Sequence, residues 1–284
     1  MKFCMVPYLG GKQALCKKLI KLLPPIDSYK IYCEPFGGAA SILLNKPKSK
    51  IEVYNDLDGN LVNLFMVVRD HPEKFLERFN LLLYSRELNS RWTQDFLKGR
   101  WPEDPVERAA RYYYVFRSSF KGCLGPGWAF SRRGQGPISR LYASLKNIKE
   151  IAERLKDVYI DHNDFRNCIR NWDSPETVFY CDPPYWGSEQ YYAGTQKLFS
   201  EQDHLDLHQL LSAKVNGKWL LTEADHPKVR ELYADFFTIK KRTILGGKQR
   251  NTLRHLIIIN YDISNIGLPL LRRKLGILKR KREQ

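Results

Sequence analysis

No stretch of this 284-residue chain is apolar for long enough to cross a membrane, and nothing near its start has the pattern of a signal peptide. The greasiest early segment, Leu19-Ile20-Lys21-Leu22-Leu23, is interrupted by lysine and closed by Pro24-Pro25. A soluble, intracellular protein is expected. Cysteine is sparse and unpatterned: Cys4, Cys16, Cys33, Cys123, Cys168 and Cys181 form no CxxC pair, and no His cluster stands at ligand spacing. That argues against zinc or a disulfide framework and for reduced, mostly buried thiols. Repeats and low-complexity linkers are lacking as well. Acids are outnumbered, 31 Asp+Glu against 47 Lys+Arg, and the net charge of +16 favours a polyanionic partner, although a membrane surface would share the attraction.

What the chain does have is apolar content of 43%, with 16 Tyr, 14 Phe and 6 Trp, enough for a sizeable core. Its length suits one large α/β domain or a core with an inserted subdomain. Apolar spacing predicts a helix over Lys12 to Leu23 resting on a Gly10-Gly11 turn. Strands follow at Lys30 to Glu34 and Ile51 to Asn55, with a short helix over Gly38 to Asn45 and another over Gly59 to Val68. This βαβα order implies a parallel sheet with right-handed crossovers. The middle, roughly Pro72 to Tyr159, loses the alternation and reads as helical and basic, with helices over Glu107 to Phe120 and Arg140 to Lys156 around a Gly/Pro-rich loop, Lys121 to Pro137. The α/β pattern resumes at Val158-Tyr159-Ile160. It continues with a strand at Thr177 to Cys181, a helix capped by Ser200-Glu201-Gln202-Asp203, and strands near 218–222, 236–239 and 253–261. The tail is basic.

The most informative segment is Asp182-Pro183-Pro184-Tyr185, directly after the apolar run Thr177-Val178-Phe179-Tyr180-Cys181. A buried strand ending there puts a carboxylate and carbonyls at the mouth of a sheet, where α/β enzymes keep their chemistry. Proline removes backbone N–H groups, so the turn offers acceptors with few competing donors, and the tyrosine offers a flat ring. Acceptors beside a ring suit a planar amine such as a nucleobase. A plain Pro-Pro turn capping a strand is the other reading of these four residues alone.

Three further segments accompany it: Tyr8-Leu9-Gly10-Gly11-Lys12, Tyr32-Cys33-Glu34-Pro35-Phe36-Gly37-Gly38-Ala39-Ala40-Ser41 and Val53-Tyr54-Asn55-Asp56-Leu57-Asp58. With these motifs in this order, from about Val6 to Asp262, the chain resembles the D12-class N6-adenine DNA methyltransferases, the family of GATC-type DNA adenine methylases and many phage-encoded or restriction-modification relatives. The resemblance implies a Rossmann-like class I methyltransferase fold with a central, mostly parallel sheet. It divides the chain into a catalytic domain, 1–71 and 157–262, a helical target-recognition insertion, 72–156, and a basic tail, 263–284. The implied cofactor is S-adenosyl-L-methionine and the implied partner is double-stranded DNA. Neither metal nor membrane is called for, and the expected form is a cytoplasmic monomer or weak dimer in a bacterial or phage-infected cell.

Site roles carry over by motif. Asp182, Pro183, Pro184 and Tyr185 are the expected catalytic turn, with Asp182 also near the methyl donor. Donor-binding residues are expected at Tyr8, Gly10, Lys12, Glu34, Phe36, Gly37, Gly38, Asp56, Asp164 and Phe165. Glycines let backbone approach a ligand closely, and an acid ending the second strand can accept ribose hydroxyls; Asp56 can equally be a loop acid or the N-cap of the following helix. Lys12 can pair with the donor carboxylate. The family's F-x-G-x-G becomes Phe36-Gly37-Gly38-Ala39-Ala40, a methyl group that fits if the φ of Ala40 is negative. Arg117, Lys121, Arg132, Arg133 and Arg140 cluster near the Gly-rich loop as base readers or phosphate contacts. The same turn chemistry serves N4-cytosine methyltransferases, which usually carry serine in place of Asp182. RNA or protein-glutamine methylation and a catalytically silent DNA-binding module are the remaining readings.

Overall fold

The computed structural model describes residues 3–7, 12, 14–122, 124–125, 127–132, 136–187, 199–244, 252–263 and 277–278. Helix α1 (Cys16–Leu22) leads into the parallel strands β1 (Ile31–Glu34) and β2 (Ile51–Asn55), then α2 (Gly59–Asp70). Five helices follow: α3 (Pro72–Glu77), α4 (Arg86–Leu97), α5 (Pro105–Ser118), α6 (Gly136–Leu145) and α7 (Ile148–Leu155). The α/β alternation then returns as β3 (Val158–Asp161), α8 (Phe165–Trp172), β4 (Thr177–Cys181), α9 (Glu201–Ala213), β5 (Lys218–Ala224) and α10 (Pro227–Leu232). An antiparallel pair, β6 (Phe237–Ile244) and β7 (Thr252–Ile259), and a two-residue edge strand, β8 (Ile277–Leu278), complete it.

The sheet order is β3-β2-β1-β4-β5-β7-β6-β8, parallel from β3 to β5 and reversed at β7. This is the Rossmann-like, mostly parallel sheet that the βαβα pattern predicts. Strand order turns back on itself between β1 and β4, so the loops leaving those strands diverge and open a crevice at their carboxyl ends. Both candidate motifs leave the sheet there.

Alternate strand residues face opposite sides, and both sides are covered. Tyr32, Tyr54, Val178, Tyr180, Leu220 and Ile257 join a core with α1, α2, α5 and α7, whereas Cys33, Val53, Phe179, Cys181, Trp219 and Leu256 pack under α8, α9 and α10. The first core runs without interruption into the helical region, because α5 buries Tyr112, Tyr113 and Tyr114 against its neighbours and Tyr112 Oη donates to Asp58 Oδ2 at 2.5 Å.

Two expected elements differ. Gly38 to Asn45 is a series of turns, since Gly38 and Ala40 have φ of 49° and 50° and a regular helix cannot pass through them. Arg140 to Lys156 divides into α6 and α7, with a turn in which Asn147 N–H donates to the Ser144 carbonyl. The Ser200 capping box forms as predicted, with reciprocal bonds between Ser200 and Asp203.

Candidate active site

Asp182 leaves the end of β4 with its Oδ1 held twice, by Lys12 Nζ at 2.6 Å and by Thr222 Oγ1 at 2.7 Å. Lys12 reaches it because its carbonyl accepts Leu15 and Cys16 N–H groups at the start of α1, fixing the residue beside the crevice. The ammonium also lies 4.6 Å from the centre of the Tyr185 ring. Thus Lys12, expected on the donor carboxylate, stands beside the catalytic turn and pairs with Asp182. Tyr185 is 5% exposed rather than an open stacking face, and its hydroxyl lies 2.8 Å from His255 Nδ1. Burial, and then the Lys12 charge, push the His255 imidazole down to about 4. Pro183 is buried and Pro184 half-buried. The turn ends at Trp186, whose N–H donates to Glu223 Oε2 at 3.2 Å and whose indole packs against the His204 and His226 rings. Glu223 faces His204 Nδ1 at 3.2 Å, and burial pushes its carboxyl up.

Across the crevice, the turn after β1 is built on backbone donors. Gly37 N–H donates to the Asn55 carbonyl at 2.7 Å, and Gly38 N–H to Asp56 Oδ2 at 2.8 Å. Asp56 Oδ1 accepts from Asp58 N–H at 2.9 Å, and burial pushes its carboxyl up to about 6. The N-cap of α2 is Asp58, not Asp56. A Cβ on Gly37 would lie 2.2 Å from Tyr54 Cε2, so glycine is required there. Ala40 sits at φ 50°, the left-handed region, where a side chain costs about 1–2 kcal/mol; its φ is not the negative one that would suit a methyl group. Glu34 is 1% exposed and turned inward: its Oε1 accepts from Tyr32 Oη and Leu43 N–H, both at 2.7 Å, and burial pushes it up to about 8. It therefore shapes the turn rather than offering a carboxylate to a ligand.

Phe36, Phe165 and Phe199 form a ring cluster beside this turn, with centroids 5.2 to 5.7 Å apart. Asp164 is the N-cap of α8, accepting from Arg166 N–H and pairing with the Arg166 guanidinium. Tyr8, Gly10 and Arg133 lie outside the described residues, as does the basic end of the tail, and the described part of Lys121 is its backbone. Arg117 is not among the surface cations. Its guanidinium donates to the carbonyls of Cys4 and Met5 and lies over the Tyr113 ring, clamping the segment that leads to Lys12. Arg132 and Arg140 are exposed, Arg140 donating to the Gly136 carbonyl. Sequence reading missed Arg86, which covers the stacked Trp128 and Phe130 rings. It also missed Thr222, Glu223, His204 and His255. Among the described residues no group of His, Cys, Asp and Glu could hold a metal ion, and no helix is long and apolar enough to cross a membrane.

A glycine-built turn and an Asp-Pro-Pro-Tyr turn facing each other at a sheet switch point define an α/β group-transfer enzyme with a nucleotide-type cleft. Over residues 8–245 the chain matches the D12 class N6 adenine-specific DNA methyltransferases, and it belongs to that family. It is 26% identical to the Type II methyltransferase M1.LlaDCHI of Lactococcus lactis subsp. cremoris, over 89% of this chain and 94% of that one. A DNA adenine methylase of Haemophilus influenzae is 24% identical over 89% and 91%, and the Type II methyltransferase M.CviBI of Paramecium bursaria Chlorella virus NC1A 23% over 90% and 99%. The chain is a DNA adenine N6-methyltransferase.

Proposed function

We propose that methyl transfer from S-adenosylmethionine to a flipped-out adenine takes place between the two turns, with Asp182 and the Pro183 carbonyl accepting the N–H groups of the target amine. The observation that carries this reading is the doubly held Asp182 at the end of β4. Both contacts are made by Oδ1, which leaves Oδ2 to accept from substrate. The amine lone pair of adenine is delocalised into its ring. Hydrogen bonds to two acceptors favour a tetrahedral, more nucleophilic nitrogen, and the carboxylate stabilises the positive charge that develops on it.

The crevice residues fit the methyl donor. Asp56, held by two backbone N–H groups, retains acceptor capacity for hydroxyls, and the Phe36, Phe165 and Phe199 rings offer an apolar bed for a purine. When bound, S-adenosylmethionine supplies an electrophilic methyl group on a sulfonium. An adenine within a duplex cannot reach a recessed turn, so the base is flipped out, and Trp186, half-buried beside the turn, gives it a neighbouring ring. We assign target recognition to the helical region, where exposed Arg132 and Arg140 and the Arg86, Trp128 and Phe130 stack supply cations and rings. The net charge of +16 supports a DNA-associated protein.

The test uses labelled donor and plasmid DNA, followed by digestion to nucleosides. The protein yields N6-methyladenine; N4-methylcytosine or no product would refute the reading. Asp182→Ala lowers turnover by about 10²–10³ or more. Its DNA affinity changes by less than about twofold, because phosphate contacts dominate binding.

A further inference from the structure

His255 approaches the catalytic turn from strand β7, a part of the sheet that carries none of the family-matched motifs. It lies opposite Ala224 of β5 and Lys241 of β6, and it is 4% exposed. Its ring meets Tyr185 edge to face, at 78° and 5.7 Å between centroids, and its Nδ1 is 2.8 Å from the tyrosine hydroxyl. The Tyr185 ring in turn lies 4.6 Å from the ammonium of Lys12, which stands 2.6 Å from Asp182. Pro183 and Pro184 have no N–H with which to tie down the turn. Side chains must fix it, and this chain of contacts does so together with Thr222.

We propose that His255 is a positioning residue for methyl transfer, fixing the Tyr185 ring that seats Lys12 and, through Lys12, Asp182. The proposal rests on the reading of Asp182 as the acceptor of the target amine. An imidazole suits the place. Kept neutral by burial and by Lys12, it gives the tyrosine a hydrogen-bond partner without a second cation in the pocket. Loss of either partner frees the ring to shift, and a small displacement of Asp182 lowers the rate because the reacting groups must be aligned. The contacts of His255 and the Tyr185 hydroxyl lie at the catalytic turn, so donor binding stays largely intact.

The experiment compares kcat and KM for donor and for DNA in Tyr185→Phe, His255→Leu, the double variant and His255→Asn, with Asp182→Ala alongside. Thermal unfolding of each variant sets a temperature at which all are folded, and rates are compared there. Each single variant lowers kcat about tenfold, the scale of one buried hydrogen bond, while donor KM stays within about twofold. The double variant is no slower than the slower single one, since both remove the same contact. His255→Asn, with an amide group near the place of Nδ1, recovers most of the rate. If His255→Leu does not fold, Tyr185→Phe, which loses one oxygen atom, still decides the matter. Unchanged kcat with a lowered melting temperature, or losses that multiply in the double variant, would overturn the positioning role. If Asp182→Ala retains turnover, the underlying reading fails. If that variant is inactive while the His255 and Tyr185 variants turn over normally, only the positioning role fails.

Discussion

After β1 the chain turns through Gly37 and Gly38 on main-chain donors, with Asn55 and Asp56 receiving their N–H groups. After β4 it turns through two prolines that have no such donors, and side chains of Lys12, Thr222, Glu223 and His255 hold it instead. Glycine frees backbone to bond and to approach closely, whereas proline stiffens backbone and hands its placement to neighbours. The first turn should therefore be sensitive to added bulk, and the second to lost polar atoms.

Gly37→Ala tests this most severely. The new methyl group overlaps the Tyr54 ring, and the variant loses about 3 kcal/mol or more in denaturant unfolding. Stability equal to the parent chain would show that the ring can move aside. Next comes Glu34→Gln, which asks whether the first turn needs a charge or only an acceptor. A carboxyl whose folded pKa, about 8, lies above its unfolded value contributes most below about pH 4 and loses that contribution as pH rises through 8. The amide does not titrate, so the variant matches the parent near pH 5 and exceeds it by roughly 4 kcal/mol at pH 9. Parallel stability curves across that range would refute it.

Asp56→Ala has a smaller effect, on binding more than folding. Donor affinity measured by calorimetry weakens by about 1–3 kcal/mol as a charged acceptor is lost, and unchanged affinity would remove Asp56 from the donor site. Ala40→Gly is the mildest. Relief of left-handed strain, about 1–2 kcal/mol, is offset by a lost buried methyl of about 0.8 kcal/mol and a freer unfolded chain. The net change stays below about 1 kcal/mol, and a larger loss would mean that the methyl packs better than its backbone suggests.

Much of this was legible in sequence where local chemistry decides. Thr177–Cys181 and Ile51–Asn55 are apolar runs with abrupt polar ends, and both strands fall where the pattern put them. Ser200 and Asp203 carry their capping box in four residues. The Gly38–Asn45 segment misled because the apolar run Ile42-Leu43-Leu44 gives no sign of the two positive φ angles upstream. His255, Thr222 and Glu223 were invisible for another reason. A polar residue in a strand looks like a solvent-facing position until pairing is known, and only the β5–β7 register opposes His255 to Ala224. Arg117 looked like a surface cation because its acceptors, the carbonyls of Cys4 and Met5, are remote in the chain.

The pairing of β1 with β4 also sets a timetable. Ile31 must wait for Thr177, and the catalytic turn then waits for His255 on β7, so the cleft closes through contacts between the beginning and the end of the chain. Loop closure of that length is slow, and contacts of such wide sequence separation form late in folding. During synthesis, β1 and its glycine turn emerge long before β4 and β7, so no nascent chain holds both turns and their support until Asp182 and His255 have been made.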